Sequence, residues 1–556
     1  MSIAKKNKKI SNNKTNKTKT NNKTKNTKSN VKSTNKVYKN IGYKLAKKRR
    51  INNSKADGKK DTSTKKIIKR YIKNNDIDDV VYDDSANTNV FIILPNQLYD
   101  NVKKLKKYEI VYMIEEPIFY YDKEYRPVKP SKIKIAFMRA CMKCYEDKLL
   151  KAKVNVKYIE YNTIISDGYS FLGDETNITL YDPTDMTVLQ KFRDIKLKCT
   201  LLSSPNFIMK LNELTEISKH KLISRHSKFY EIVKDKLKIL QNVKSTDKEN
   251  RKEPNNKIVQ EVTKKEEKFN EEIIKDKKYD KFYKEACEYT ITNFKDHLYI
   301  IKDATEYDTL YRNLHKYPIN SLLAYKAYDS FLKNRFKSFG ETQDMIIDKC
   351  VVVNHSCASA CMNIGLLDPN IIVKKIMSYK SKVPMNSLEG LVRQLCWRDY
   401  MRQNYIFYYS DMLASNLPNN TKSMPKEWYK KFGYEILDNE LHKAIETGYA
   451  GHITRLMLFL NYFILNEINP IDIYRWFMTV ISIDAWDWVM VSNIYAMGFI
   501  YPNLLSRPYL CSSNYLLRMS NYVDDGKWPS HFDKLFKDFI KNKPHEYIFY
   551  YKRNTS

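Results

Sequence analysis

The spacing of apolar residues changes character once along this chain, and that change restricts what the chain can fold into. Between Val90 and Ile114 apolar residues gather in short runs separated by polar turns, Val90–Leu94 (VFIIL) and Ile110–Ile114, and further β-rich segments follow at Val154–Ile159, Ile178–Tyr181 and Cys199–Leu202. Runs of this length without strict alternation predict strands buried on both faces, the pattern of a parallel sheet. Ser131–Ala152 intervenes with Ile133, Phe137, Cys141 and Cys144 near helical spacing. Strands and helices therefore alternate, and the expected fold class begins with a doubly wound α/β domain over residues 88–215. From about Tyr279 to Ile540 aromatic and aliphatic residues recur every three or four positions, which predicts an all-helical domain over 279–545. A chain of 556 residues has room for both.

Charge separates these parts from their flanks. Residues 1–70 hold 25 Lys and Arg against 2 Asp and Glu, a net of +23 out of +34 for the whole chain. Lys, Asn, Thr and Ser make up 42 of the first sixty residues, which leaves too little apolar surface to offset the entropy of ordering them. Residues 1–87 are expected to be a disordered basic tail and a helical bridge. Such a tail is a solubilising arm or adds salt-sensitive, sequence-independent affinity for a polyanion. Lys47, Lys48, Arg49 and Arg50 form a basic cluster of the nuclear-import kind. Lys244–Glu267 is dominated by Lys, Glu, Asn and Asp, and with its surroundings (216–278) is expected to be a helix and charged linker. Residues 546–556 are expected to be a C-terminal tail.

Other classes are disfavoured. No apolar segment follows Met1, so no secretion signal is expected and the chain is expected inside the cell. The longest apolar run, Leu456–Leu465, is too short for a bilayer and predicts a buried helix, with no membrane partner. Nine cysteines without a second C-x-x-C beside Cys141 and Cys144 predict reduced thiols and no metal site. Cys350, Cys357 and Cys361 are expected in the core. No G-x-G-x-x-G follows the first strand. The Lys- and Asn-rich composition points to an AT-rich genome of the sort large DNA viruses carry; a viral factory or virion is then an alternative to the nucleus.

Within the helical part, Gly451, His452 and Arg455 interrupt an apolar helix. A buried guanidinium needs an anion, and Asp484 in the apolar stretch 481–484 is its candidate, either as a structural salt bridge or as part of a site. Asn386 followed by Glu389 resembles a capping pair opening the helix through Tyr400. In the same helix, SLEGLVRQLCWRDYMR (387–402) sets Glu389, Arg393 and Trp397 near one face.

That string resembles the EG-x-x-RQ-x-x-WRE-Y helix of the bacterial iron-sulfur photolyases, a branch of the photolyase/cryptochrome family. LPNQL (94–98), FYEIVKDKLKIL (229–240), DKENRK (247–252), FGETQDM (339–345) and HSCASACMNIGLLDP (355–369) agree in the same order. GHITRLM (451–457), IDAWDWVMVSN (483–493), RPYL (507–510) and NYLLRMSNY (514–522) follow. The resemblance covers about residues 88–523. It implies an α/β domain, often holding an antenna pigment of lumazine or folate type, joined to a helical domain that cradles FAD. Ser356 and Ser359 match hydroxyls that meet the FAD diphosphate. Asn363, Glu389 and Arg393 fall among the flavin-contacting positions. Arg455 and Asp484 resemble the ion pair beside the isoalloxazine, and Asn493 and Met497 match the loop lining it. His452 and Tyr509 match lesion-side residues, and Trp428 and Trp476 match an electron path in which Phe477 replaces a Tyr; core packing is the alternative for these.

The sequence departs from that branch at its four cluster cysteines, expected near Ile436, Val523, Gly526 and beyond, so no iron-sulfur cluster is expected. The paired histidines of six-four repair enzymes become Gly451-His452, which leaves the lesion type open, and Met490 stands where the family has a glutamate. The function implied is light-driven repair of UV pyrimidine dimers in DNA by a monomeric lyase. A cryptochrome-like photoreceptor and a non-catalytic DNA-binding protein that has lost flavin are the alternatives.

Overall fold

The computed structural model describes residues 80–83, 89–175, 177–219, 225–271, 276–300, 305–505, 508–543 and 547. The expected tail, with Lys47–Arg50, lies outside the described residues.

Six parallel strands form one sheet, ordered β1-β6-β5-β2-β3-β4. They are β1 Val80–Tyr82, β2 Val90–Ile93, β3 Ile110–Ile114, β4 Val156–Ile159, β5 Asn177–Tyr181 and β6 Lys198–Leu202. β2 is buried throughout, as its unbroken apolar run requires, and β5 is buried from Ile178 to Tyr181, Thr179 included. β1 corrects the expected helical bridge: Val80–Tyr82 pairs in parallel with Cys199–Leu201 at the sheet edge. Three residues flanked by Asp and Asn carry too weak a pattern to be read as a strand alone.

The strand order reverses between β2 and β5, where open α/β sheets leave a crevice at the carboxyl ends. Here that place is filled from within. Gln97 Nε2 donates to Tyr181 O (2.6 Å). Arg402, from the helix Met385–Leu413, reaches Asp182 Oδ2 (3.1 Å). Beyond the sheet the described chain is helical, as its periodicity predicts, and no helix among the described residues is long and apolar enough to cross a membrane.

The expected linker Lys244–Glu267 is also corrected, since Asn256–Glu271 is a helix. Few apolar side chains are needed: Val262 packs with Met345, Ile347, Cys350 and Val353 in a small separate core. Glu266 then accepts from the amides of Val351 (2.7 Å), Val352 (3.0 Å) and Val353 (3.0 Å). The capping pair is not formed either. Helix 385–413 starts after Pro384, Asn386 Oδ1 accepts from the adjacent Ser387 N (3.0 Å), and Glu389 is buried elsewhere. Proline at this place fixes the backbone entry, and Ser387 N is met by Pro384 O (3.1 Å) as well as by Asn386 Oδ1. All nine cysteines are free, and Tyr547, in the expected C-terminal tail, is buried with its hydroxyl donating to Phe499 O (2.8 Å).

Sheet and helices meet at the start of the helix Lys132–Lys151. Ser131 N donates to Thr479 O (3.2 Å), and the Ser131 and Ser482 hydroxyls share a 2.5 Å hydrogen bond. Lys134 Nζ donates to Ala485 O (2.5 Å) and lies over the Trp486 ring. Burial, reinforced by the Arg126 guanidinium, pulls its ammonium down to about 7. Arg126 grips Asp185 through two bonds (2.8 and 2.9 Å) and lies 3.2 Å from Asp487. Gly448, at φ +69, makes this approach possible, because a Cβ there would sit 2.8 Å from Ile133 Cγ2.

Candidate functional site

The segment pinned at this junction, residues 479–487, which joins the helices Pro470–Val480 and Asp487–Ser492, carries Asp484 into the helical part. Asp484 Oδ2 accepts from Arg455 Nη2 (2.5 Å) and from Ser359 Oγ (2.9 Å). Arg455 Nε is held by Ala450 O (2.8 Å). The apolar run expected as a plain buried helix is buried, but Thr454–Leu460 is a π-helix continuing into an α-helix at Asn461–Leu465. A second π-turn spans Asn493–Met497. Wide turns of this kind re-aim side chains and recur at functional sites. Both border one cavity of about 220 Å³, which receives Arg455 from the first and Asn493 from the second.

Ser356, Ser359, Asn363, His452, Arg455, Asp484 and Asn493, all expected at a site, line this cavity. Ser356 Oγ accepts from Ala358 N (3.3 Å), which leaves its hydroxyl proton for another partner. Asn493 Nδ2 donates to Val489 O (2.7 Å). Three atoms on the wall are buried without a hydrogen-bond partner in the protein: Asp484 Oδ1, Trp397 Nε1 and Gln343 Oε1. Polar atoms buried this way cost about 1–3 kcal/mol each, so they mark a surface finished by something else. A second cavity of about 510 Å³ shares Ser356, Cys357 and Ala358 as a wall. Together the two reach the size range, roughly 300–1,000 Å³, of organic ligand sites.

The remaining expected residues stand off the cavity. Glu389 Oε2 accepts from Thr246 Oγ1 (2.9 Å), and Arg393 Nε lies 3.7 Å from Glu389 Oε1, so this pair faces the segment 246–250. Met497 is buried, its carbonyl accepting from Tyr509 N (3.4 Å). Trp476 is fully buried, and its Nε1 donates to Trp428 O (2.9 Å) within an aromatic cluster. A small void of about 20 Å³ between His452, Arg455 and Phe477 separates that cluster from the cavity.

Two lining residues escaped the sequence reading. His355 opens the quoted string 355–369; it meets the Tyr449 hydroxyl (3.3 Å) and Gln343 O (3.0 Å), and a Cβ on Gly451 would sit 3.1 Å from its ring. Burial lowers His355 to about 4 and His452 to about 3, the latter helped by Arg455, so both imidazoles are neutral at physiological pH. Arg398 lies on the wall with no carboxylate within salt-bridge distance among the described residues. Its Nε and Nη2 donate to Asn363 Oδ1 (3.1 and 3.0 Å), and its guanidinium lies over Phe207 and Trp488. Burial pulls it down to about 10. A cation held by neutral acceptors is prepared for an anion.

The parallel sheet followed by a helical body with this cavity defines the photolyase/cryptochrome class of fold. A cryptochrome from Synechocystis sp. PCC6803 superposes with a TM-score of 0.50 at 12% identity, over 84% of this chain and 93% of that one. Residues 91–298 match the family described as deoxyribodipyrimidine photo-lyase-related protein. The chain is 34% identical over 207 residues to a (6-4) photolyase of Agrobacterium fabrum, 36% of this chain, and the match spans 41% of that relative's length. It is 43% identical over 86 residues to the uncharacterized protein R855 of Acanthamoeba polyphaga mimivirus, 15% of this chain and 69% of that one. Over residues 91–298 the chain is thus similar to the photolyase-related family.

Proposed function

We propose that this protein is a light-driven lyase that restores UV-induced pyrimidine dimers in DNA, using FAD held in the helical cavity. The observation that carries the reading is the Arg455–Asp484 pair on the cavity wall, with Ser359 on one carboxylate oxygen and the other oxygen left for a ligand. When bound, FAD supplies a light-absorbing one-electron donor. The chain's own groups bind and orient it. Ser356, Asn363 and Arg398 present donors and positive charge suited to a diphosphate, whose oxygens accept from several directions. Arg455 places fixed positive charge in a low-dielectric wall, where it stabilises growing negative charge without reorganising. Asp484 holds that guanidinium in place and offers Oδ1 as an acceptor.

Glu389 and Arg393 fix helix 385–413, and Asn493 and Met497 shape the second π-turn. His452 and Tyr509 are proposed to face the lesion. A damaged base pair must leave the stack to reach such a cavity, at a cost of a few kcal/mol that damage reduces. The neutral His452 excludes water and accepts a hydrogen bond without adding charge. Trp428 and Trp476 are proposed to pass electrons inward when the cofactor has been oxidised.

The test is the full chain purified with its flavin and mixed with DNA carrying cyclobutane dimers or six-four photoproducts. Blue light should restore intact pyrimidines from one of them. Light-independent loss, or no repair of either lesion by a flavin-bound protein, removes repair and leaves the cryptochrome-like reading. A colourless protein that cannot be loaded with FAD removes both.

A further inference from the structure

Asp484 is held from behind as well as from the cavity. Backbone bonds fix its segment on both sides: Ile483 N donates to Gly448 O (3.0 Å) and Ala485 N to Ser482 O (3.1 Å). The Ala485 carbonyl, one peptide unit past the carboxylate, receives Lys134 Nζ (2.5 Å) from the helix Lys132–Lys151. Lys134 is 2% exposed, and its ammonium lies 4.1 Å from the centroid of the Trp486 ring. A carbonyl and a ring face, rather than a carboxylate, thus hold this cation. The void beside it, about 10 Å³ between Arg126, Trp486 and Asp487, is at the lower limit for a single water, so solvent does not replace the missing anion.

Taking an ammonium out of water costs far more than one carbonyl requires, since a neutral donor would satisfy that oxygen. What a cation adds at this place is charge. Three acids and one guanidinium face it across the seam. Arg126 repels it, whereas Asp484 and Asp185 attract it. Asp185 and Asp487 are already matched by Arg126 (2.8 and 3.2 Å), and Asp487 also receives the Tyr405 and Tyr474 hydroxyls. Asp484 has Arg455 on one oxygen and keeps Oδ1 without a partner in the protein, on the cavity wall.

We propose that Lys134 is a positioning residue of the flavin site: from the α/β side it fixes the peptide that carries Asp484, and its charge acts on the cofactor through the low-dielectric wall. This role rests on the flavin reading above and concerns how that site is regulated. A protonated Lys134 stands behind a wall that receives the negative charges of a diphosphate, and so favours the bound cofactor. When the amine loses its proton that attraction goes, and the grip on Ala485 O weakens. Burial and Arg126 bring this change to about 7. His355 and His452, at about 4 and 3, Asp399, raised by burial to about 6, and Arg398, at about 10, titrate elsewhere. An anion bound nearby raises the ammonium in return, so by linkage affinity for FAD is highest below about 7 and falls as pH rises, at most about ten-fold per pH unit for one proton.

The experiment is titration of the full chain, stripped of its flavin, with FAD at constant ionic strength, read by flavin fluorescence. Between about pH 6.5 and about pH 9 the wild-type Kd should rise roughly five-fold. Lys134→Met, which keeps the length of the stem without its charge, should show a Kd that no longer changes over that range. A purely structural lysine would weaken binding at every pH and leave the slope in place, and that outcome would overturn the proposal. A wild-type Kd independent of pH would also overturn it, whether or not the variant folds. Both results leave FAD binding itself standing. A protein that takes up no FAD at any pH overturns the flavin reading together with the role of Lys134.

Discussion

Asp484 is 2% exposed and its charge is matched by one guanidinium. Replacing Arg455 by Met would strand that carboxylate, and breaking a buried pair from one side costs about 3–5 kcal/mol. A urea unfolding curve should show that loss, and titration with FAD should show weakened binding as well. Four imidazoles make the acid side of the stability curve steep. His226, His297, His355 and His452 are lowered, chiefly by burial, to about 3, 4, 4 and 3. Their unfolded counterparts take up protons below about 6.5 while the native ones do not, so stability falls with pH from about 6.5 down to about 4. Each imidazole contributes at most about 1.4 kcal/mol per pH unit in that window. Thermal melts between pH 7 and 5 should slope accordingly, and His297→Gln should flatten the slope. The residues at the cavity were readable where a motif carries them, as with Ser359, Arg455 and Asp484. Arg398 was not, because its meaning depends on Phe207 and Trp488, which only the fold brings to it.

At the scale of elements, the helix Asn256–Glu271 governs the loop that enters the cavity. Glu266 satisfies three successive amides, and Val353, the last of them, and Asn354, just beyond, have positive φ of 46° and 62°. A β-branched residue in that region is strained and must be held there. Glu266→Ala would leave buried amides unpaired, costing about 1–3 kcal/mol each before water enters. Hydrogen exchange at Val351–Val353 should accelerate by more than exchange in the sheet. The same helix shows why parts of the fold were illegible. Its charged sequence, rich in Lys and Glu, suits a solvated helix as well as a linker, and tertiary contacts through Val262 and Glu266 decide between them. β2 was legible because burial on both faces leaves an unbroken apolar run. The π-turns were not, since one extra residue per turn leaves the apolar pattern of 454–465 unchanged.

Across the whole molecule, sheet and helices are joined by charge as well as by packing. Asp487 receives Arg126, the Tyr405 hydroxyl (2.5 Å) and the Tyr474 hydroxyl (2.6 Å), and it begins the helix Asp487–Ser492 on the cavity side. Arg126→Met would leave Asp185 and Asp487 buried together without their cation. A loss of about 3–5 kcal/mol is expected in denaturant unfolding monitored by tryptophan fluorescence. The interlock of Ser131, Lys134 and Gly448 with segment 479–487 also bears on how such a gene can be shortened. Neither half owns a finished outer face at that seam. A truncated product from either side would expose ionised groups and bare carbonyls that only its missing counterpart satisfies, and it would accumulate as inclusion bodies unless the other fragment were co-expressed.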